Sequence, residues 1–520
     1  MVFSKQRPEF SFKYRLAPYF PGIVLFLITL IITFLTYRDY GISWDETTQR
    51  EIGRITYDYI FNNSRELFSS HDFYYGSGFE FPLVVLEKLL KLTDSRDIYL
   101  MRHLVTNVFF LISALSMYVL VYRIFKNRFI ACLGFIMLVF APRIYAHSFF
   151  NTKDIPFLSM FLVTLCYCQV AFEKNKKVMF LILGILCGYT TSIRIMGIML
   201  GCCIMIFLLI DLFFVLKDKG KSKSAILKMV LFSVGFCFTL YITWPALWEH
   251  PIHNFIGSFN SFSRFPWHGI VLLNGKVEQG ANLPWTYFPT WFLITTPELW
   301  LIAGFAGIIM IGINFIKKPL SYLKNSRERN LLLYLMCFSI PIMAVVFLHS
   351  VIYNDWRQLY FIYPSFVMMA LYFINTLLET RYRFFAGGIC ILQAVLISCF
   401  MVNNYPFSQV YFNNLVAHKE EYLGANYELD YWGCSYKQGL DYILKTDKSK
   451  TIKVGGVYDN LVRNNMLLLT KDQRGRIQNV DAGQADYLIM NYKANPNDFP
   501  SRKIEYSIKV LNSTILCIYK

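Results

Sequence analysis

Pro21-Gly22-Ile23-Val24-Leu25-Phe26-Leu27-Ile28-Thr29-Leu30-Ile31-Ile32-Thr33-Phe34-Leu35 runs almost directly into Gly41-Ile42-Ser43-Trp44-Asp45-Glu46-Thr47-Thr48. The first stretch is long and apolar enough to enter a bilayer. The second puts a Trp and two adjacent carboxylates where a membrane helix ends, and a helix end needs neither. The rest of the chain repeats the first pattern. It is 55% hydrophobic and 16% charged, with a mean hydropathy of +0.39, against about 25% charged for a typical soluble domain. Apolar runs of about 17–25 residues recur at roughly 20–36, 99–120, 129–142, 155–172, 178–192, 195–216, 227–246, 298–316, 331–349, 359–378 and 384–402. This spacing predicts a mainly α, polytopic membrane protein with about 11 transmembrane helices. The first run is too long, and too lacking in a cleavage site, for a simple signal peptide.

Charge sets the expected orientation. Alternate loops carry Lys5, Arg7, Lys13, Arg15, then Arg123 to Arg128, Lys174 to Lys177, Lys217 to Lys228, Lys317 to Arg329, and Arg381 with Arg383. These loops hold 22 bases against five acids, which equals the net charge of the whole chain, +17. They are assigned to the cytoplasm with the N-terminus, and the basic balance therefore reflects topology and argues against a nucleic-acid partner. The opposite loops, about 37–98, 143–154, 247–297, 350–358 and everything after 403, are expected outside. Loop 37–98 inverts the balance, with eleven acids and seven bases.

Two domains are expected, a membrane unit over 1–402 and a small extracytoplasmic α/β domain over 403–520. In the first outer loop, Thr48-Gln49-Arg50-Glu51 has the pattern of a capping box, and Pro82 suits a helix start. Both helices are too short and too charged to span, and are expected to lie flat on the membrane surface; the plainer alternative is a folded loop without lipid contact. In the tail, Gln438–Leu444 reads as helix, and Lys453–Tyr458, Tyr487–Met490 and Ser507–Leu511 read as strands. Of twelve Cys, only Cys434 and Cys517 fall in the tail, where pairing is open. The remainder, Cys202-Cys203 included, suit packing better than ligation, and no compact His/Cys cluster demands a metal.

Short outer loops normally avoid cations, yet Arg143, Lys153, Arg194 and Arg357 all fall at outer ends of different spans. Charge at membrane depth is costly and usually functional, and a guanidinium fork suits phosphate. Any one of the four has a plain alternative in snorkelling to headgroups. Asp45, Glu46 and Asp154 stand at the same ends, where a carboxylate can take a proton from a hydroxyl. Capping remains open for Asp45 and Glu46, as does a local ion pair with Lys153 for Asp154. Together these groups describe an outer site with cations for a lipid-linked phosphate and a carboxylate base.

At these residues the chain resembles the glycosyltransferase C superfamily, on the protein O-mannosyltransferase and aminoarabinose-transferase branch. The resemblance covers about 20–430 and rests on Ser43-Trp44-Asp45-Glu46, Asn151-Thr152-Lys153-Asp154-Ile155-Pro156-Phe157, Arg194, and Trp356-Arg357-Gln358-Leu359-Tyr360-Phe361. It implies inverting sugar transfer from a polyprenyl-phosphate donor (undecaprenyl in a bacterial inner membrane) to an envelope glycan, lipid or protein acceptor, without a metal cofactor. By the same resemblance Asp45 is the base, Glu46 its neighbour and Asp154 a second acid, while Lys153, Arg194 and Arg357, with Arg143 from the cation pattern, bind the donor phosphate. The tail departs from the family: it is not the β-trefoil insertion of the eukaryotic members, and its Tyr-Phe-Asn and Asp-Tyr-Trp stretches are similar to those of a bacterial subgroup. A flippase or a ligase of lipid-linked saccharides is the alternative, and a flippase would not need Asp45.

Overall fold

The computed structural model describes residues 17–70, 72–263, 267, 269–418, 421–491 and 502–520. The basic start with Lys5, Arg7, Lys13 and Arg15 lies outside the described residues. Among those described, eight helices are long and apolar enough to cross a membrane, and nine if one bent pair counts as a span. The expected count of about 11 also included Phe20–Thr36 (α1) and Lys177–Ile193 (α8), which are apolar but have only 17 residues each.

Two glutamate-bearing helices follow α1, Glu46–Asn62 (α2) and Glu80–Leu89 (α3). They differ from expectation in start and surroundings. Asp45, three residues before the expected cap at Thr48, is the residue that precedes α2, and no capping box forms at Thr48; Glu51 pairs instead with Arg54 at 2.6 Å. The buried faces of α2 and α3, with Ile52, Ile55, Leu83 and Val84, carry ion pairs to each other and to Ser95–Phe125 (α4). These faces therefore cover protein, not lipid.

Apolar length and polar caps make the bundle. Asp94 accepts a hydrogen bond from the Arg96 amide at 2.9 Å to open α4, and Asn127 opens Arg128–Val139 (α5) in the same way. The run expected as one span at 129–142 stops at Val139. Pro142, which lacks an amide hydrogen, starts a second helix, Pro142–Phe150 (α6), at 60° to α5. What reads as an open loop is thus a fully buried helix. Asp154–Lys174 (α7), Ile198–Val215 (α9) and Lys219–Thr243 (α10) follow, with α8 between α7 and α9. Then come Pro251–Ser263 (α11), Tyr287–Thr295 (α12), Glu298–Lys317 (α13), Ser326–Phe347 (α14), Tyr363–Leu378 (α15) and Arg383–Asn403 (α16). A hairpin of Ile270–Leu273 (β1) and Lys276–Gln279 (β2) interrupts the loop before α12.

The tail builds a five-stranded sheet in the order β4-β3-β5-β7-β6. The strands are Ile452–Gly456 (β3), Ile477–Asn479 (β4), Tyr487–Asn491 (β5), Ile504–Val510 (β6) and Ser513–Tyr519 (β7). β3 runs parallel to β4 and β5, and β7 antiparallel to β5 and β6. Tyr436–Thr446 (α17) buries Tyr436, Leu440, Ile443 and Leu444, and Asp459–Met466 (α18) follows β3. Cys434 and Cys517 are both buried, and among the described residues neither forms a disulfide. One continuous apolar core joins Tyr40 and the spans to Trp432, Leu440 and Ile489 of the tail, so the two parts share an interior.

Candidate active site

Three distant segments meet at one guanidinium. Arg357 contacts Asp45 at 3.3 Å through Nη2 and Asp154 at 3.1 Å through Nη1. Asp154 uses its other oxygen for Arg194 at 2.9 Å. A turn in which Asn354 and Asp355 both take left-handed backbone (φ 56° and 62°) delivers Arg357, and these two residue types tolerate that region best after Gly. The termination of α8 at Ile193 presents Arg194, and the start of α7 presents Asp154. Asn151 locks that start: its carbonyl accepts from the Asp154 amide at 2.8 Å while its amide donates to the Asp154 carboxylate at 2.9 Å.

The two carboxylates differ in access. Asp154 is 2% exposed and its oxygens are committed to two arginines and Asn151. The Asp45 side chain is 34% exposed and meets Arg357 with one oxygen. Lys153 lies half-buried with its ammonium 3.3 Å from the centre of the Tyr75 ring. Burial above all, and then Arg194, pushes its pKa down to about 7, against the opposing pull of Asp45 and Asp154. Arg357 is flanked by the rings of Trp432 and Tyr353 at 4.6 and 5.1 Å. The Nε donors of Arg194 and Arg357 are buried without a protein acceptor. Surplus donors and a poised ammonium beside a half-open carboxylate suit an anionic ligand. Two cavities of ≈ 20 and ≈ 30 Å³ flank Arg194. The second shares Val345, Ser350, Val351 and Ile352 with a larger one of ≈ 320 Å³ under Gly280–Phe288.

Asp45, Lys153, Asp154, Arg194 and Arg357 are therefore brought together; Glu46 and Arg143 are not. Glu46 turns inward to His103, 3.1 Å from Nε2. Arg143 donates to Asp355 at 3.1 Å and to the Tyr411 carbonyl at 2.9 Å, between the rings of Trp291 and Phe412. Asp355 also accepts from Tyr360 at 3.0 Å and Tyr431 at 2.8 Å. Among the described residues, no group of three or more His, Cys, Asp or Glu is arranged to hold a metal.

Sequence reasoning missed two supports of the site. The first is a buried chain of charge: Arg102, wholly buried, pairs with Glu80 and, at 3.3 Å, with Glu87; Glu87 holds Arg50 at 3.0 Å; and Thr152 donates to Glu80. The signal was available, since Arg102 interrupts an apolar span and Glu80 and Glu87 lie seven apart, on one face of a helix. The second is the tail. Asn465 accepts from the Ile42 amide at 3.0 Å and donates to the Ile42 carbonyl at 3.2 Å, and the Trp44 amide donates to Trp432 at 3.0 Å. A Cβ at Gly41 would lie 2.1 Å from the Cys434 carbonyl, so only Gly fits there.

Residues 95–238 match the family model of the dolichyl-phosphate-mannose-protein mannosyltransferases. The matched stretch includes Lys153, Asp154 and Arg194 and agrees with the resemblance read from the sequence; Asp45 and Arg357 lie outside it. No curated protein sequence matches the chain. Similar solved structures include the oligosaccharyltransferase of Archaeoglobus fulgidus in its apo form, 12% identical with a TM-score of 0.49, over 92% of this chain and 66% of that one. Another is ArnT from Cupriavidus metallidurans bound to undecaprenyl phosphate, 13% identical with a TM-score of 0.46, over 95% and 97%. The chain thus spans just under two thirds of the length of the Archaeoglobus protein.

Proposed function

We propose that this protein is a membrane glycosyltransferase that moves a sugar from a polyprenyl-phosphate donor to an acceptor hydroxyl or phosphate, with inversion at the anomeric carbon. The observation that carries the reading is the triple meeting at Arg357, which holds a half-open carboxylate, Asp45, against a committed one, Asp154. The family match over 95–238 supports it. In the reaction an acceptor oxygen attacks the anomeric carbon from the face opposite the phosphate. The bond from that carbon to the phosphate oxygen breaks, and its electron pair leaves with the lipid phosphate. Asp45 takes the acceptor proton. Arg194, Arg357 and the ammonium form of Lys153 stabilise the charge gathering on the leaving group. Asp154 serves as their counter-ion and fixes their spacing. The cavities reaching from Arg194 toward Gly280–Phe288 are the donor's path. Because the lysine-rich loops gather at the other end of the spans, the site opens away from the cytoplasm of a bacterial inner membrane.

Asp45→Asn tests this. Transfer of labelled sugar should fall by about 10²–10⁴-fold, the usual yield of a positioned base, while the donor still binds. Undiminished transfer refutes the base; a flippase would likewise survive the change.

A further inference from the structure

The largest of the described cavities lies far from the acid–base site, at the other end of the same helix. Asp154 begins α7; Asn175 follows its last residue and lines a cavity of ≈ 650 Å³. Twenty-one residues at ~1.5 Å each put the two about a bilayer core apart. The ends of α9, α10 and α14 complete the walls, and that size is within the usual range for a bound small molecule. Lys221, Lys228, Lys324 and Arg329 face it, and Asp211 is the one carboxylate in its lining; Lys221 also pairs with Asp218, outside the lining, at 3.1 Å. Asp211 is committed to Arg329 at 2.7 Å. Lys228 donates to the neutral Asn175, and Lys324 sits over the Phe214 ring at 4.9 Å. Among the described residues, neither lysine has an acidic partner. Phe172 and Phe214 form an apolar wall below these cations, and lipid-facing Phe213 and Leu216 adjoin it, 70% and 56% exposed. Repulsion among converging cations costs free energy that an anion would relieve. Orientation rules require positive charge at this end but not its convergence on a cavity with an apolar wall.

We infer that this cavity is a phosphate-headgroup site, filled by an anionic phospholipid of the adjacent leaflet, with its acyl chains along the aromatic wall. The inference is independent of sugar transfer. The full chain, purified in neutral detergent, is mixed with phosphatidylglycerol or phosphatidylcholine, and retained lipid is counted by native mass spectrometry. The protein should retain phosphatidylglycerol selectively. The double substitution Lys228→Gln with Lys324→Gln should weaken retention by about tenfold or more, the loss of charge-assisted contacts. Lys228→Arg with Lys324→Arg should keep it, which separates charge from folding. Displacement by millimolar inorganic phosphate would support the anion site but identify a soluble occupant; no displacement supports the lipid. Equal retention of both lipids, or retention unchanged in the double Gln variant, overturns the site.

Discussion

At the scale of the residue, the decisive property is how many partners a charged group already has. Arg357 bridges two carboxylates that a point charge cannot hold at once. Arg357→Lys should therefore weaken donor binding by about tenfold or more, as measured by donor titration, and should also free Asp45; unchanged affinity would remove Arg357 from the phosphate site. Lys153 gives a pH test. Its native pKa of about 7 lies below its ordinary 10.5, so the free site loses its ammonium as pH rises through 7. Donor affinity should fall by up to about tenfold per pH unit above 7, and Lys153→Met should flatten the profile. Stability has the opposite sign: the unfolded chain holds the extra proton between 7 and 10.5, so this group's contribution rises with pH across that window. Asp45, Lys153, Asp154, Arg194 and Arg357 were legible as types at helix ends, because charge is costly there. The partner of each was not legible. Arg143 and Glu46 look the same as the others in sequence, and only tertiary contacts turn them to Asp355 and His103.

At the scale of the element, apolar length marked nearly every span, but the α5–α6 bend and the buried surroundings of α2 and α3 were not readable. A proline such as Pro142 looks the same in sequence whether it opens a new helix or sits in a loop turn, and a charged face looks solvated until its partner is known. Arg102 is that partner. Glu80→Ala would leave a buried guanidinium short of one carboxylate, a change that typically costs about 3–5 kcal/mol. The expected result is a lower thermal transition together with slower transfer, since Thr152 beside Lys153 loses its acceptor. A variant as stable and active as the parent would show the chain of charge to be dispensable.

At the scale of the whole molecule, the tail both clasps the Gly41–Trp44 segment and forms part of the common core. Its α/β character was legible from the runs Lys453–Tyr458, Tyr487–Met490 and Ser507–Leu511, which fall on β3, β5 and β6, while the three-residue β4 was too short to read. Asp430 lies in the seam, accepting from Ser435 and Gln409, yet burial pushes its pKa up to about 6 from 3.8. The native state then holds a proton that the unfolded chain releases, so stability should fall as pH rises from about 4 to 6 and level off above, by on the order of 3 kcal/mol. Denaturation across that range should show the slope, and Asp430→Asn should lessen it, leaving the share of Glu80 and Asp355, whose pKa values burial also raises. The clasp of Asn465 on Ile42 has a further consequence. The two residues are 423 apart, and at roughly 5–20 residues per second synthesis needs about 20–85 s to pass from one to the other. Arg357 is made within that interval and brings its contact to Asp45, but Ile42 still lacks its partner in the tail. A chain truncated before Asn465 should therefore insert with its Gly41–Trp44 segment unclasped and transfer labelled sugar more slowly than the parent.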